Sequence, residues 1–470
     1  MHGQTGPASG ATLHSAFVPR HQDLPKIEWG ANMSKRSKWV PLVLLVAAVT
    51  AAGCSTAKKE EPVQAAAANT GFQVSKDPVT LKLYVNVVRL SDLEYQAFFV
   101  EPLKKKYPHI TLEKVDGKLE DLIAAGNIPD IIVSDNDWHM PLKQLDLPMD
   151  LTELVKLSKL DLSQLNQEAV NAVRNLEPGQ LQGIPFSLNQ GAMFYNKDLF
   201  DKFGVPYPKD DMLWSDVMDL HRKLTRMEDG VQYIGIDLRF PDHMVSPYTQ
   251  AFVDPKTNKA LVDIPLYHQV LEMFDQMYKT PGYIGPKDKY AYGPAGFVTE
   301  KIQAMQPDWV TKIVSDLLQA EADGLAPNWD MVTNPTFPDK KGQGRHALAD
   351  MLVITKASKH KEQAMQVIQM LVSREQQVDI SRHSRVTVLN DDEVKKQFGA
   401  NNPSLKGKNT AAVFKNPSTP TPPPHIADKE VQTIIRNIRK EMAINKKDIN
   451  TALREAQEQA DKKVAELMKK

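Results

Sequence analysis

Residues 81–134 read LKLYVNVVRLSDLEYQAFFVEPLKKKYPHITLEKVDGKLEDLIAAGNIPDIIVS, a stretch in which apolar segments alternate with helical patterns. The segments 81–85, 110–115 and 130–134 are rich in apolar and β-branched residues, which predicts three strands. A Ser-x-x-Glu capping box at Ser91 predicts that a helix begins between the first two strands. Strands that alternate with helices at this spacing predict a parallel sheet with right-handed crossovers, and therefore an α/β fold.

Polar and aromatic residues follow these three predicted strands. Arg89 follows the first strand, Asp116 follows the second, and the sequence DNDWH at 135–139 follows the third. Ligands bind parallel sheets beyond the carboxyl ends of the strands. An isolated exposed Asp is usually only solvated, and we interpret Asp116 in that way. The segment 135–139 is therefore the candidate binding region at this edge of the sheet.

The composition excludes several classes of protein. The 470-residue chain has 58 Lys and Arg residues and 58 Asp and Glu residues. It therefore lacks the excess of positive charge that would favour nucleic acid as a partner. Its single cysteine excludes a disulfide scaffold, a thiolate zinc cluster and a CxxC redox pair. The string GQGRHA at 342–347 matches a dinucleotide motif, but no predicted strand precedes it. Asp135-x-Asp137 starts like a calcium loop but lacks the later Gly and Glu. We expect neither a cofactor nor a metal.

The segment around Cys54 predicts export. Basic residues at 35–38 precede an apolar run at 39–52, and the run ends in Ala-Ala-Gly-Cys, which is the layout of a signal peptide. This end resembles the bacterial lipobox, in which the cysteine is diacylated, although Ala51 stands where Leu is usual. The alternative is an ordinary secretory signal with a chance cysteine. We expect residues 1–32 to be an over-extended start, residues 33–53 a lipoprotein signal peptide, and residues 54–78 a flexible tether.

A second α/β region begins near residue 189 and carries a recognisable pattern. Residues 183–198 read GIPFSLNQGAMFYNKD, and four further residues follow in a characteristic order: Gly204, Pro206, Trp214 and Asp216. Further matching segments are GNIPDI at 126–131, AMQPDW at 304–309 and ITKASKHKEQAMQVIQML at 354–371. Over about residues 79–470, this combination resembles the extracellular solute-binding proteins of ABC importers, family 1, the maltose-binding-protein-like group.

The resemblance implies a two-lobed α/β fold of the periplasmic-binding-protein type (type II). Each lobe would be a mostly parallel sheet flanked by helices, and hinges would join the lobes. We assign residues 79–188 and 356–388 to the N-terminal lobe, and residues 189–355 and 389–470 to the C-terminal lobe. Other expected elements are strands at 233–238, 302–306 and 351–355, an extended surface linker at 417–424, and a closing amphipathic helix from Ile449 to Leu467.

The same resemblance implies a function without catalysis. The chain would be the lipid-anchored binding component of an ABC importer, attached through Cys54 to the extracellular face of the cell membrane. It would bind a sugar or oligosaccharide between its lobes as a monomer and deliver it to the permease subunits. Closure around a ligand requires contacts from both lobes, which two sheets with facing strand ends can supply. The alternative is an exported hydrolase or lyase that processes glycans.

Carried over position by position, the resemblance also implies which residues bind the ligand. Asp137 and Trp138 follow the third strand, Asn189 follows the Gly-Ile-Pro strand, and Trp309 matches the stacking Trp of the family. Aromatic faces stack on sugar rings, and charged side chains form strong hydrogen bonds with hydroxyls. A core position for Trp309 is the alternative, with Trp329 as the platform instead. The remaining candidates are Asp308, Arg239, Tyr248 and Arg89.

Overall fold

The structure is a computed structural model, and it describes residue 72 and residues 74–469. The strands are β1 Val79–Val85, β2 Ile110–Val115, β3 Ile131–Asp135, β4 Ile184–Asn189, β5 Gly191–Asn196, β6 Arg226–Glu228, β7 Val231–Ile236, β8 Gln303–Trp309, β9 Trp329–Thr333, β10 Leu348–Ile354 and β11 Val386–Thr387.

The helices are α1 Asp92–Tyr95, α2 Glu101–Lys106, α3 Leu119–Ala124, α4 His139–Gln144, α5 Thr152–Ser158, α6 Gln167–Arg174, α7 Lys197–Lys202, α8 Trp214–Leu224, α9 Pro241–Val245, α10 Pro265–Lys279, α11 Gly293–Val298, α12 Val310–Ala322, α13 Lys361–Leu371, α14 Arg374–Arg382, α15 Asp392–Lys395, α16 Ala412–Lys415, α17 Asp428–Ala443 and α18 Ile449–Leu467. A π-helical turn, Gln96–Val100, joins α1 and α2. The described helices include none with the length and apolar character that a membrane span requires.

Two sheets form the framework of two lobes, which confirms the predicted α/β architecture. The first sheet has the strand order β11-β4-β10-β3-β1-β2, and the second has the order β6-β7-β8-β5-β9. The parallel pairs β1–β2 and β1–β3 agree with the sequence of alternating strands and helices. The capping box is also present, since the Ser91 side chain accepts a hydrogen bond from the Glu94 N–H.

Both sheets are mixed, however, and the prediction of mostly parallel sheets was wrong. In the first sheet, β10 lies between β3 and β4 and runs antiparallel to both. In the second sheet, only β7 and β8 pair in parallel, while the other pairs are antiparallel. One cause is that β5 and β10 each enter a sheet from the other lobe, so no helical crossover within that lobe sets their direction. The pair β6–β7 is antiparallel because the two strands form a hairpin.

The lobe boundaries differ from the predicted ones at two places. The first crossing is close to the expected position, since β4 ends at Asn189 in one sheet and β5 begins at Gly191 in the other. The strand predicted at 351–355 lies in the N-terminal sheet as β10, so the second crossing falls at residues 341–347. The N-terminal lobe also continues beyond residue 388, because Leu389 forms a bridge with Leu165.

The proline-rich stretch 417–424 is extended, as predicted, but it is not confined to the surface. Thr419 is buried, and its backbone accepts a hydrogen bond from the Ala347 N–H at 2.9 Å and donates one to the Arg345 carbonyl at 3.1 Å. The Gln190 side chain donates to the Ser418 hydroxyl at 2.9 Å. This stretch belongs to a third crossing, which leads to α17 in the C-terminal lobe, and it packs along the two earlier crossing segments.

Candidate functional site

Side chains from both lobes meet beside the second crossing segment. Asp137 follows β3 in the N-terminal lobe, and its carboxylate lies 3.3 Å from Nε2 of His346. His346 belongs to the crossing segment, and its Nδ1 lies 2.6 Å from the hydroxyl of Ser246 in the C-terminal lobe. The His346 ring also packs edge-to-face against Trp309, with a centroid separation of 5.8 Å. His346 therefore connects Asp137 to Trp309 across the lobes.

Trp309 is the last residue of β8 and lies directly before α12. Its ring is half-buried and contacts the ring of His243 at a centroid distance of 5.9 Å. The guanidinium of Arg345 lies 4.9 Å from the centre of the indole. Trp309 is thus part of a polar aromatic cluster between the lobes. Trp329, by contrast, is 1% exposed and packs on Phe194 inside the C-terminal lobe, so it is a core residue.

Arg345 is a buried cation in this cluster. Its guanidinium lies 3.3 Å from Nδ1 of His243 and donates to the Asn334 side chain at 3.2 Å. Burial lowers the pKa of Arg345 to about 10, so the side chain stays charged at neutral pH. Burial also lowers the pKa of His243, and the charge of Arg345 adds to that effect, so His243 is neutral. The indole face of Trp309 therefore compensates part of the desolvation of the guanidinium.

The start of α17 covers the other candidate aromatic residue. Nζ of Lys429 lies 3.8 Å from the centre of the Trp138 ring. Burial raises the pKa of the neighbouring Asp428 to about 7, and the charge of Asp137 contributes to the rise. Burial also raises the pKa of Asp135, again with contributions from Asp137. Several carboxyl groups thus crowd this side of the cluster, and protonation relieves their repulsion.

Asp308 and Arg239 form an ion pair beneath Trp309. Nε of Arg239 lies 3.0 Å from the carboxylate of Asp308, which is fully buried. The other oxygen of Asp308 accepts a hydrogen bond from the Trp309 N–H at 2.8 Å. Both residues therefore hold the backbone at the end of β8.

The three remaining candidates from the sequence form hydrogen bonds or an ion pair with residues outside this cluster. The Asn189 side chain accepts a hydrogen bond from the Thr311 N–H at 3.2 Å, at the start of α12. The Tyr248 hydroxyl donates to Asp339 at 2.7 Å. Arg89 forms an ion pair with Asp316 on α12. The structure therefore brings Asp137, Trp309, Asp308 and Arg239 together around the crossing segment, with Trp138 under Lys429, and gives Tyr248 and Arg89 other partners.

Four members of this cluster were not predicted from the sequence: His243, Arg345, His346 and Lys429. Arg345 and His346 lie in the string at 342–347 that was considered only as a nucleotide motif. Lys429 belongs to α17, whose apolar residues Val431, Ile435, Ile438 and Met442 follow helical spacing and could have revealed the helix. Within residues 72 and 74–469, no group of three or more His, Cys, Asp or Glu side chains is arranged to hold a metal ion.

Comparison with known proteins gives a family for the chain. The sequence profile of the bacterial extracellular solute-binding proteins matches residues 91–378. A binding protein of Brucella abortus is 22% identical over 295 residues, which cover 60% of this chain and 68% of that protein. The profile spans both lobes and the first two crossings between them.

Solved structures show the same fold. The ABC substrate-binding protein of Listeria monocytogenes in complex with cycloalternan has a TM-score of 0.65 and 19% identity, covering 83% of this chain and all of that one. The sugar-binding protein MalE of Xanthomonas citri has a TM-score of 0.63 and 19% identity, with 83% and 98% covered. A solute-binding protein of Thermotoga lettingae bound to α-D-tagatose has a TM-score of 0.62 and 18% identity, with 82% and 99% covered.

Proposed function

Because this chain belongs to the family of bacterial extracellular solute-binding proteins, we propose that it binds a sugar or oligosaccharide between its lobes for an ABC importer. The observation that carries this proposal is the meeting of Asp137 and Trp309, from different lobes, on either side of His346. A solute held there touches both lobes, so binding favours the closed arrangement. The family consists of binding proteins, which agrees with a function without catalysis.

The chemistry of the cluster supports a carbohydrate. Trp309 and Trp138 are half-buried, and the C–H groups of a pyranose ring would stack on the parts of these rings that Arg345 and Lys429 leave uncovered. Asp137, whose side chain is 37% exposed, offers oxygens that accept hydrogen bonds from sugar hydroxyls. We propose these three residues as direct ligand contacts. Several neighbours in the fold are described as sugar complexes, which supports the same class of solute.

Other candidates have supporting roles in this proposal. Asp308 and Arg239 fix the backbone of Trp309 through their buried ion pair and the hydrogen bond to the Trp309 N–H. Asn189 fixes the start of α12. Tyr248 and Arg89 are less suited to bind the sugar, since the Tyr248 hydroxyl bonds Asp339 and Arg89 pairs with Asp316.

A panel of sugars tests the function. Thermal unfolding would be followed with maltose, mannobiose, mannotriose, tagatose and mannitol, and calorimetry would confirm each sugar that raises the melting temperature. A bound ligand at about 100 times its Kd stabilises the folded state by about 2.7 kcal/mol. Saturable binding of at least one carbohydrate, lost in Asp137→Ala, supports the proposal. Stabilisation by a non-carbohydrate solute alone, through the same residues, contradicts it.

Attachment to the membrane is a separate part of the proposal. The segments that bear on it lie outside the described residues: the extra start at 1–32, the signal peptide at 33–53, Cys54 and most of the tether at 54–78. We propose that Cys54 is diacylated and holds the protein at the extracellular face of the membrane, close to the permease. Cys54→Ala should then move the processed protein from the membrane fraction to the soluble fraction. A processed Cys54→Ala protein that stays entirely in the membrane fraction would refute the anchor.

A further inference from the structure

A second contact joins the lobes at the carboxyl end of β1. Arg89 lies in the loop that follows β1 in the N-terminal lobe, and Asp316 lies on α12 in the C-terminal lobe. Their side chains form an ion pair across the gap between the lobes. Both groups remain partly in water, since the Arg89 side chain is 58% exposed and that of Asp316 is 20% exposed.

The loop that carries Arg89 is fixed from inside the N-terminal lobe by Arg385. The Arg385 side chain is 1% exposed and donates to the Glu94 carboxylate at 2.7 Å and to the Asp350 carboxylate at 3.0 Å. Its remaining terminal nitrogen donates to the backbone carbonyl of Arg89. Asp350 is on β10, directly after the second crossing segment. The position of Arg89 is therefore tied to the strand that enters from the hinge.

Asp316 is fixed from the other side. Nζ of Lys312, one helical turn earlier on α12, lies 3.2 Å from the second carboxylate oxygen of Asp316. Helix α12 begins immediately after Trp309, so Asp316 lies about two turns from the proposed sugar platform. Movement of α12 relative to the N-terminal lobe would therefore change the distance from Arg89 to Asp316 and the position of Trp309 together.

An open groove of about 590 Å³ surrounds this ion pair. One wall comes from residues 89–91 and Glu94 of the N-terminal lobe, and the other comes from α11, α12 and Leu325 of the C-terminal lobe. The groove is lined by both lobes, and the ion pair is a direct polar link between its two walls. Its strength thus contributes to how readily the lobes separate at this edge.

We propose that Arg89 and Asp316 form an interlobe latch that shifts the lobes toward the closed arrangement, and that Arg385 positions the latch. In this role Arg89 tunes affinity by changing the closed fraction, without touching the solute. An ion pair with this exposure changes the ratio of closed to open molecules roughly two- to fivefold. The proposal goes beyond the proposed function, since it holds whichever solute binds.

The test measures lobe separation directly and needs no sugar. In the full chain with Cys54→Ser, which removes the single cysteine, spin labels are attached at Glu153→Cys on α5 and Lys279→Cys at the end of α10. Both side chains are about three-quarters exposed, at 74% and 75%. Pulsed electron–electron double resonance then gives the distribution of distances between the two spin labels, one on each lobe. We expect Arg89→Glu to reduce the short-distance population, and Arg89→Glu with Asp316→Arg to restore it.

The control is Lys105→Glu, which breaks an exposed ion pair with Glu375 inside the N-terminal lobe and should leave the distances unchanged. If Arg89→Glu loses its folded circular dichroism spectrum, Asp316→Asn replaces it, with the same expected shift. An unchanged distance distribution in the reversed-charge variant overturns the latch. A double variant that remains as open as the single variant also overturns it. Failure to find a sugar ligand would affect the proposed function and leave this result standing.

Discussion

Trp309 is the single residue on which the proposed sugar site depends most. Its half-buried ring lies between His243, His346 and the guanidinium of Arg345, outside the cores of both lobes. Trp309→Ala removes the stacking face and its buried area. We expect affinity for the sugar found in the panel to fall about ten- to a hundredfold, or roughly 1.5–3 kcal/mol. Calorimetric titration of the folded variant measures this change.

Trp329 provides a matched control for Trp309. It is buried against Phe194, and its Nε1 donates to Glu321 at 2.9 Å. Trp329→Ala should lower the free energy of unfolding by about 3–5 kcal/mol and leave the intrinsic affinity unchanged. A Trp309→Ala protein that behaves like Trp329→Ala, with lost stability and retained affinity, would remove Trp309 from the site.

Asp428 should make stability depend on pH. Its folded-state pKa of about 7 lies above the value of about 3.9 for an unfolded Asp. Between these values the unfolded chain releases a proton that the folded chain retains, so the free energy of unfolding falls as pH rises. Asp428→Asn keeps an acceptor for the His425 N–H and should recover about 1–3 kcal/mol near pH 7.

Denaturant melts of both proteins at several pH values between 4 and 8 measure this effect. Asp219→Asn, in an exposed pair with Arg222 on α8, serves as the control. Equal slopes of stability against pH for wild type and Asp428→Asn in this range would show that the raised pKa does not contribute to stability.

The positions of single residues were easiest to predict where a residue follows a recognisable strand, whereas their roles in binding stay predictions. Asp137 and Trp309 could be placed near the cleft because each lies at the carboxyl end of a strand in a matching segment. His346 could not be placed there, because its position depends on the path of residues 341–347 between the lobes. Lys429 reaches Trp138 only through the docking of α17, and local sequence patterns contain no information on such a distant contact.

The crossing from β4 to β5 leaves no room for a side chain at Gly191. Gly191 on β5 is the partner of Trp309 on the neighbouring strand β8 of the second sheet. A Cβ atom at this position would lie 2.8 Å from Cδ and Nε of Arg345. Gly191→Ala should therefore push Arg345 away from the Trp309 ring and lower the free energy of unfolding by about 1–3 kcal/mol.

Gly183→Ala is the comparison variant, because the nearest atoms to its Cβ would be those of the Met351 thioether and the Leu352 carbonyl, away from Arg345. Thermal melts of both variants compare the two positions. A Gly191→Ala protein as stable as wild type, with an unchanged tryptophan fluorescence spectrum, would mean that the hinge tolerates a larger residue and that Arg345 is not held as described.

The elements themselves differed in how well sequence predicted them. Strands β1 to β3 and helix α18 were found because short-range periodicity determines them. The sheet to which β10 belongs was not found, because pairing with β3 and β4 is a contact between segments more than 150 residues apart in sequence. Strand direction was missed for the same reason. A strand can be recognised locally, but its neighbours are chosen by the packing of the whole chain.

Three sets of contacts between the two lobes lie around the crossing segments of the molecule. His346 links Asp137 to Ser246, Lys429 covers Trp138, and Arg89 pairs with Asp316. Each of these contacts is lost or lengthened if the lobes rotate apart, whereas the crossings at Gln190 and 341–347 remain. Individually they are weak polar contacts, so the two arrangements can have similar free energies. A solute with partners on both lobes can then shift the equilibrium.

Closure on a solute should therefore be measurable in solution. Small-angle X-ray scattering of the protein, with and without the sugar selected in the panel, should show a smaller radius of gyration when the sugar is bound. The physical reason is that in the proposed site Asp137 and Trp309, from different lobes, contact the same sugar, so the sugar would bind the closed arrangement more tightly. Asp137→Ala removes one of these contacts and should reduce the compaction at equal sugar concentration. An identical radius with and without a saturating sugar, confirmed by calorimetry, would mean that binding does not depend on lobe movement.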